Sequence, residues 1–247
     1  MKILEYGNFN NKKLMLIHGF QLPYQIWNEY IEYFKDKYHV LVVVLEGHYP
    51  DNNTFISFND TASKIEDYYI PLYGNNIDII FGMSLGGIIA ANLWASKKLN
   101  INKIVFDGSP LIPYPKMLKS YFTKFYLSVT YKTQNRDTKT INKAVNSIIP
   151  EKYLNYFLDV IDNLTDENIT RYFNAWGNYK LPNDIISSTK LYYFHGTKMN
   201  EMIAKKSAKY IKKYYSNSEV KCFKGKGHCE VSLFNEAEMI KELDNIL

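Results

Sequence analysis

"DIIFGMSLGGIIAANLW" (Asp78–Trp94) sets two apolar runs back to back with a sharp break between them. Before Gly82 the residues are branched or aromatic, as in a buried strand. After it, Ile88, Ala91 and Trp94 recur at the spacing of one helix face. Between them lies one hydroxyl, Ser84, with a glycine two positions away on either side. A serine on so tight a corner has a strained backbone. A side chain at either flanking position collides with the neighbouring helix or strand, and glycine avoids that collision. Gly82-Met83-Ser84-Leu85-Gly86 thus fits G-x-S-x-G, with the hydroxyl at a helix N-terminus whose amides favour negative charge.

Outward from this corner, short apolar runs alternate with helical patterns. Strands are expected at Lys13–Gly19, His39–Gly47, Ile77–Gly82, Ile101–Gly108, Lys190–Gly196 and Val220–Phe223. Several are apolar on both faces, as a parallel sheet covered by helices requires. Trp27, Tyr30, Ile31 and Phe34 share one helical face, and Asn235 with Glu238 three residues on reads as the start of another helix. The alternation predicts an α/β, doubly wound, mostly parallel sheet. It breaks after Gly108. From Leu111 to Ser188 the pattern is helical, rich in Tyr and Phe, and without a convincing strand. The expected organisation is a core of residues 1–110 and 189–247, with residues 111–188 inserted as a helical lid before the penultimate strand.

Composition narrows the class. At 247 residues and 46% apolar, the chain is long enough for one sizeable core. A net charge of +5, from 30 basic and 25 acidic residues, gives no nucleic-acid signature. The dense run Lys205, Lys206, Lys209, Lys212 and Lys213 has helical spacing and reads as a solvated face. Two cysteines, Cys222 and Cys229, lack metal-ligand spacing and fit a reducing compartment, so no metal or cofactor is expected. No window approaches a membrane span, and the start lacks a signal peptide, so the expected location is cytoplasmic.

A serine hydroxyl needs a base to take its proton. Of five histidines, His228 in "GKGHCE" follows the last short strand, where the order Ser, acid, His puts the base. His39 reads as exposed, and His195 as a pin for its loop. His18 pins a loop or faces the substrate pocket, and His48 is structural or lines that pocket. "HGF" (His18–Phe20) follows the first strong strand, so the amide of Phe20 can pair with that of Leu85 as an oxyanion hole.

With "HGF…W" (His18–Trp27), "LEGH" (Leu45–His48), "GMSLGG" (Gly82–Gly87) and "GKGH" (Gly225–His228), nearly the whole chain resembles the α/β-hydrolase superfamily, most closely its small, lidded, serine esterase-like members. A serine at the elbow disfavours the haloalkane dehalogenase branch. The resemblance implies an acid in a G-x-x-D-like pattern after the penultimate strand. Here "HGTKMNEM" puts Met199 at that position, so Glu201 is placed first and Asp107, after the preceding strand, is the alternative. The function expected is hydrolysis of a small apolar carboxylic ester or thioester through an acyl-serine. Acyl transfer or carbon–carbon bond hydrolysis by the same triad, or ligand binding without catalysis, are the alternatives. Met83 beside the serine, with Tyr126 and Trp176 from the lid, is expected to line the pocket with His18. The expected partner is a small ester-type molecule.

Overall fold

The computed structural model describes residues 1–50 and 54–247. Seven strands form one sheet: β1 (Lys2–Tyr6), β2 (Lys12–Ile17), β3 (Tyr38–Val44), β4 (Asn76–Met83), β5 (Asn100–Asp107), β6 (Lys190–Gly196) and β7 (Ser218–Phe223). Their spatial order is β1-β3-β2-β4-β5-β6-β7. Only β1 runs antiparallel, pairing Lys2–Tyr6 with Val44–Val40 of β3; every other pairing is parallel. No strand is expected from the sequence before Lys13. The edge strand β1 is only partly covered and lacks the apolar density of its neighbours.

The helices are α1 (Asn28–Phe34), α2 (Phe58–Tyr73), α3 (Leu85–Ser96), α4 (Lys116–Gln134), α5 (Thr138–Val145), α6 (Leu154–Asn163), α7 (Asp166–Asn178), α8 (Met202–Tyr214), α9 (Glu230–Phe234) and α10 (Glu236–Ile246). Alternate strand residues feed two cores. Leu14, Leu16, Val40, Val42, Ile79 and Phe81 face α1 and α10, whereas Met15, Ile17, Leu41, Val43 and Ile80 face α2, α3 and α8. Helix α3 is apolar all round and buried nearly all round, the composition of a helix sealed inside a protein. Between β5 and β6 the described residues form α4 to α7 and no strand. The lysines of α8 are solvated or partly so, around a buried Ala204, Ala208 and Ile211.

Asn235 does begin α10, but its side chain caps no backbone N–H. Its amide donates to the Glu238 carboxylate instead. The switch in strand order falls between β2 and β4, so the loops after these strands leave in opposite directions and open a crevice at their carboxyl ends.

Candidate active site

The corner after β4 is as tight as its sequence suggests. Ser84 has φ 49° and ψ −114°, a conformation L-residues avoid. A methyl on Gly82 would sit 2.5 Å from Cα of Gly87, and one on Gly86 would sit 2.2 Å from the carbonyl oxygen of Ile17. Both are backbone contacts that cannot yield, so α3 can begin hard against β2 and β4 only with glycine at these places. The Ser84 N–H donates to the carbonyl oxygen of Asp107 at 2.7 Å, tying the corner to the end of β5.

His228, in the loop between β7 and α9, lies with Nε2 2.8 Å from Oγ of Ser84. Its Nδ1 is 2.6 Å from Oε1 of Glu201, a fully buried carboxylate. The other carboxylate oxygen, Oε2, accepts the Gly196 N–H at 2.8 Å. A short 3₁₀ turn at Met199–Glu201 carries the acid beyond the position a G-x-x-D pattern occupies and swings it back over the end of β6. Gly108 (φ 62°) packs against the imidazole, where an added methyl would lie 2.8 Å from Cε1. Burial opposes a charge on His228, but the hydrogen bond and charge of Glu201, with a smaller contribution from Asp107, hold its pKa above the ordinary histidine value.

Asp107, the other carboxylate, is also buried. Its Oδ2 accepts from the Ser232 hydroxyl at 2.5 Å, and no hydrogen bond joins it to His228 among the described residues. Burial raises its pKa to about 6, against the pull of Ser232, with the charge of Glu201 adding to the rise. With a pKa of about 6 it is still largely ionised at neutral pH, so geometry is what separates it from Glu201: it faces the Ser232 hydroxyl, not the imidazole.

The loop after β2 is pinned by two imidazoles. His18 Nε2 accepts the Leu45 N–H at 3.2 Å and its Nδ1 donates to the Gly19 carbonyl at 2.8 Å. His48 Nε2 accepts the Gln21 N–H at 3.0 Å and its Nδ1 donates to the Glu46 carbonyl at 3.0 Å. Burial drives the pKa of His18 to about 3, helped by the adjacent His48, and burial alone drives that of His48 to about 4. Both are therefore neutral donor–acceptor bridges between the loops after β2 and β3. Gln21, in a left-handed conformation (φ 64°), sends its amide to the Thr130 hydroxyl of α4 at 2.7 Å. A methyl on Gly19 would lie 3.3 Å from Cβ of Ser84, so this loop runs beside the corner. Among the described residues neither the Phe20 nor the Leu85 backbone N–H has a protein acceptor.

A cleft of about 390 Å³ opens over Ser84 and His228. Tyr126 and Trp176 line it, as does the side chain of Phe20. His18 and Met83 do not, which corrects the sequence expectation for both. His18 is fully buried, its ring nitrogens spent on the backbone. Met83, still part of β4, points into the core beneath the sheet. His48, fully buried, is likewise structural. The cleft also takes Gln21, Ile148, Met199, Met202 and Ile203, which the sequence did not single out. For Met199, Met202 and Ile203 a signal was present: they come after a parallel strand, and such segments gather at the carboxyl edge of the sheet. Apart from the imidazole of His228, no titratable group with a charge at neutral pH lines the cleft among the described residues. No His, Cys, Asp and Glu group among them could hold a metal ion.

No protein-family model and no curated relative matches the sequence. Solved structures do match it. An α/β hydrolase family protein from Desulfitobacterium hafniense superposes with a TM-score of 0.78 at 19% identity, over 99% of both chains. An esterase from Exiguobacterium antarcticum gives 0.77 at 15% identity, over 99% of this chain and 94% of its own. A bromoperoxidase from Bacillus anthracis gives 0.75 at 18% identity, over 98% of this chain and 92% of its own. Names so varied at identities so low speak for architecture and leave the reaction open. From its first strand to its last helix, the chain has the α/β-hydrolase fold.

Proposed function

We propose that the chain is a serine hydrolase acting on carboxylic esters or thioesters with an uncharged, largely apolar acyl group. One observation carries this reading: a strained hydroxyl, an imidazole and a buried carboxylate in series, at 2.8 and 2.6 Å, beneath an uncharged cleft. In the tautomer that donates from Nδ1 to Glu201, His228 presents a lone pair to Ser84. It takes the hydroxyl proton as Oγ attacks the carbonyl carbon. The N–H groups of Phe20 and Leu85 receive the oxyanion, and the imidazolium then protonates the departing alcohol or thiol. Water, deprotonated in the same way, cleaves the acyl-serine. Residues 111–188 act as the lid, since α4 and α7 supply Phe122, Tyr126 and Trp176 to the cleft wall. That the similar structures include an esterase agrees with this chemistry.

The test is turnover of a short p-nitrophenyl ester with labelling by a fluorophosphonate. Wild type should show both, and Ser84→Ala neither. A wild type that is inert to both reagents removes the proposal.

A further inference from the structure

Two features mark the rim of the cleft. Several of the residues lining the opening are large, apolar and still exposed to water: Phe125 on α4, Ile148, and Met199 and Met202 around the start of α8. Tyr121, 60% exposed, stacks on Phe125 one helical turn away. Single exposed apolar side chains are ordinary, but several from separate segments gathered round one mouth are not. Along α4 the exposed stripe continues as Met117, Tyr121, Phe125, Ser128 and Lys132, in steps of three or four residues.

The second feature is charge. Residues 111–150 hold seven basic residues and one acid, a net of +6, whereas the remainder of the chain is close to neutral at −1. Lys124, Lys132, Lys139 and Lys143 are exposed, and none forms an ion pair among the described residues. The one acid, Asp137, caps α5, and the one arginine, Arg136, is held by Asp162. A shallow hollow on α5, lined by Lys139, Asn142, Lys143, Asn146 and Ser147, meets the cleft at Ser147, which lines both. Aromatic and thioether side chains at an opening, flanked by unpaired lysines, have the chemistry of a surface that lies on anionic lipid.

We propose that the mouth of the cleft docks on an anionic lipid surface. Tyr121, Phe125, Ile148, Met199 and Met202 enter the acyl layer, and the lysines of α4 and α5 meet the headgroups. The docking itself needs no chemistry. Only the substrate class rests on the proposed hydrolase reading: an ester that passes from the lipid into the cleft without crossing water is a lipid-borne acyl ester.

Flotation with vesicles tests it, using Ser84→Ala so that nothing is consumed. The protein should float with vesicles containing phosphatidylglycerol and stay behind with pure phosphatidylcholine, and raised salt should release it. Lys139→Gln with Lys143→Gln should weaken binding about fivefold per lysine, roughly 25-fold for the pair. Met117→Ser with Tyr121→Ser should weaken it as well. In an otherwise wild-type background both pairs should keep full turnover of a short soluble ester, which shows that they fold. Equal flotation with both vesicle types, flotation with neither, or a stable homodimer that buries Tyr121 overturns the proposal. Docking by a protein that turns over no ester would keep the surface and remove the hydrolase reading. Turnover without docking would do the reverse.

Discussion

Replacing Glu201 with glutamine changes one atom and asks which carboxylate serves His228. The acid is buried, with Oε1 2.6 Å from Nδ1 of the imidazole and Oε2 accepting the Gly196 N–H at 2.8 Å. A glutamine has one acceptor for these two places. Its carbonyl goes to Gly196, which otherwise leaves a buried N–H unpaired, and its amide then points at Nδ1. That forces the imidazole to carry its proton on Nε2, where it cannot accept from Ser84. The lost charge adds to the effect: a carboxylate about 4 Å from a developing imidazolium contributes about 4 kcal/mol at an effective dielectric of 20, or about a thousandfold in rate. With the wrong tautomer, the expected fall in kcat is about 10⁴. Asp107→Asn, by contrast, disturbs a group bound to Ser232 and should lower kcat less than about tenfold. Stopped assays on a p-nitrophenyl ester, with circular dichroism to check folding, measure both. The rising limb of kcat/KM should also move to lower pH in Glu201→Gln, because that carboxylate holds the imidazole pKa up. A Glu201→Gln protein within tenfold of wild type, or an Asp107→Asn loss that exceeds it, would refute the reasoning.

Two further outcomes arise from backbone strain and from buried titration. Ser84→Gly should unfold at higher denaturant than Ser84→Ala by about 1 kcal/mol, since only glycine occupies φ 49°, ψ −114° without strain; urea melts that rank alanine higher would contradict this. His18 and His48 have folded pKa values of about 3 and about 4, below the ordinary 6.5, so as pH falls below 6.5 the unfolded chain takes up protons that the folded chain refuses. Stability is then lost between about pH 6.5 and 4, by about 3 kcal/mol for His48 alone. Asp107, raised to about 6, acts oppositely over its own window and offsets part of the loss. Thermal midpoints that stay level from pH 6.5 to 4, or a slope that His48→Gln leaves untouched, would count against it.

What the sequence discloses depends on how far each signal is local. The corner at Ser84 is legible because its strand, its helix and its glycines lie within one short run. Asp107 and Glu201 both lie between Ser84 and His228, so order along the chain does not separate them. Glu201 ranks first only because the family resemblance places the acid after the penultimate strand, and the turn at Met199–Glu201 that carries it back leaves no periodic trace. The strand Lys2–Tyr6 escapes a reading of the sequence because an edge strand has one neighbour and little apolar demand. His18 and Met83 are expected in the cleft because they lie next to residues that reach it. Strand geometry turns successive side chains to opposite faces, and Met83 is drawn into the core. The bridge from Gln21 to Thr130 spans 109 residues and leaves no sequence pattern at all.

The hydroxyl and its imidazole are 144 positions apart along the chain. At ribosomal speeds of about 5–20 residues per second, roughly 7 to 30 s pass between the emergence of one and of the other. Through that interval Ser84 has no His228 beside it. The strands β5, β6 and β7 and the whole of α4 to α7 must be translated before the two can meet. On the proposed hydrolase reading, a half-made molecule is thus chemically silent, and reactivity arrives only with the last strand and the loop that follows it.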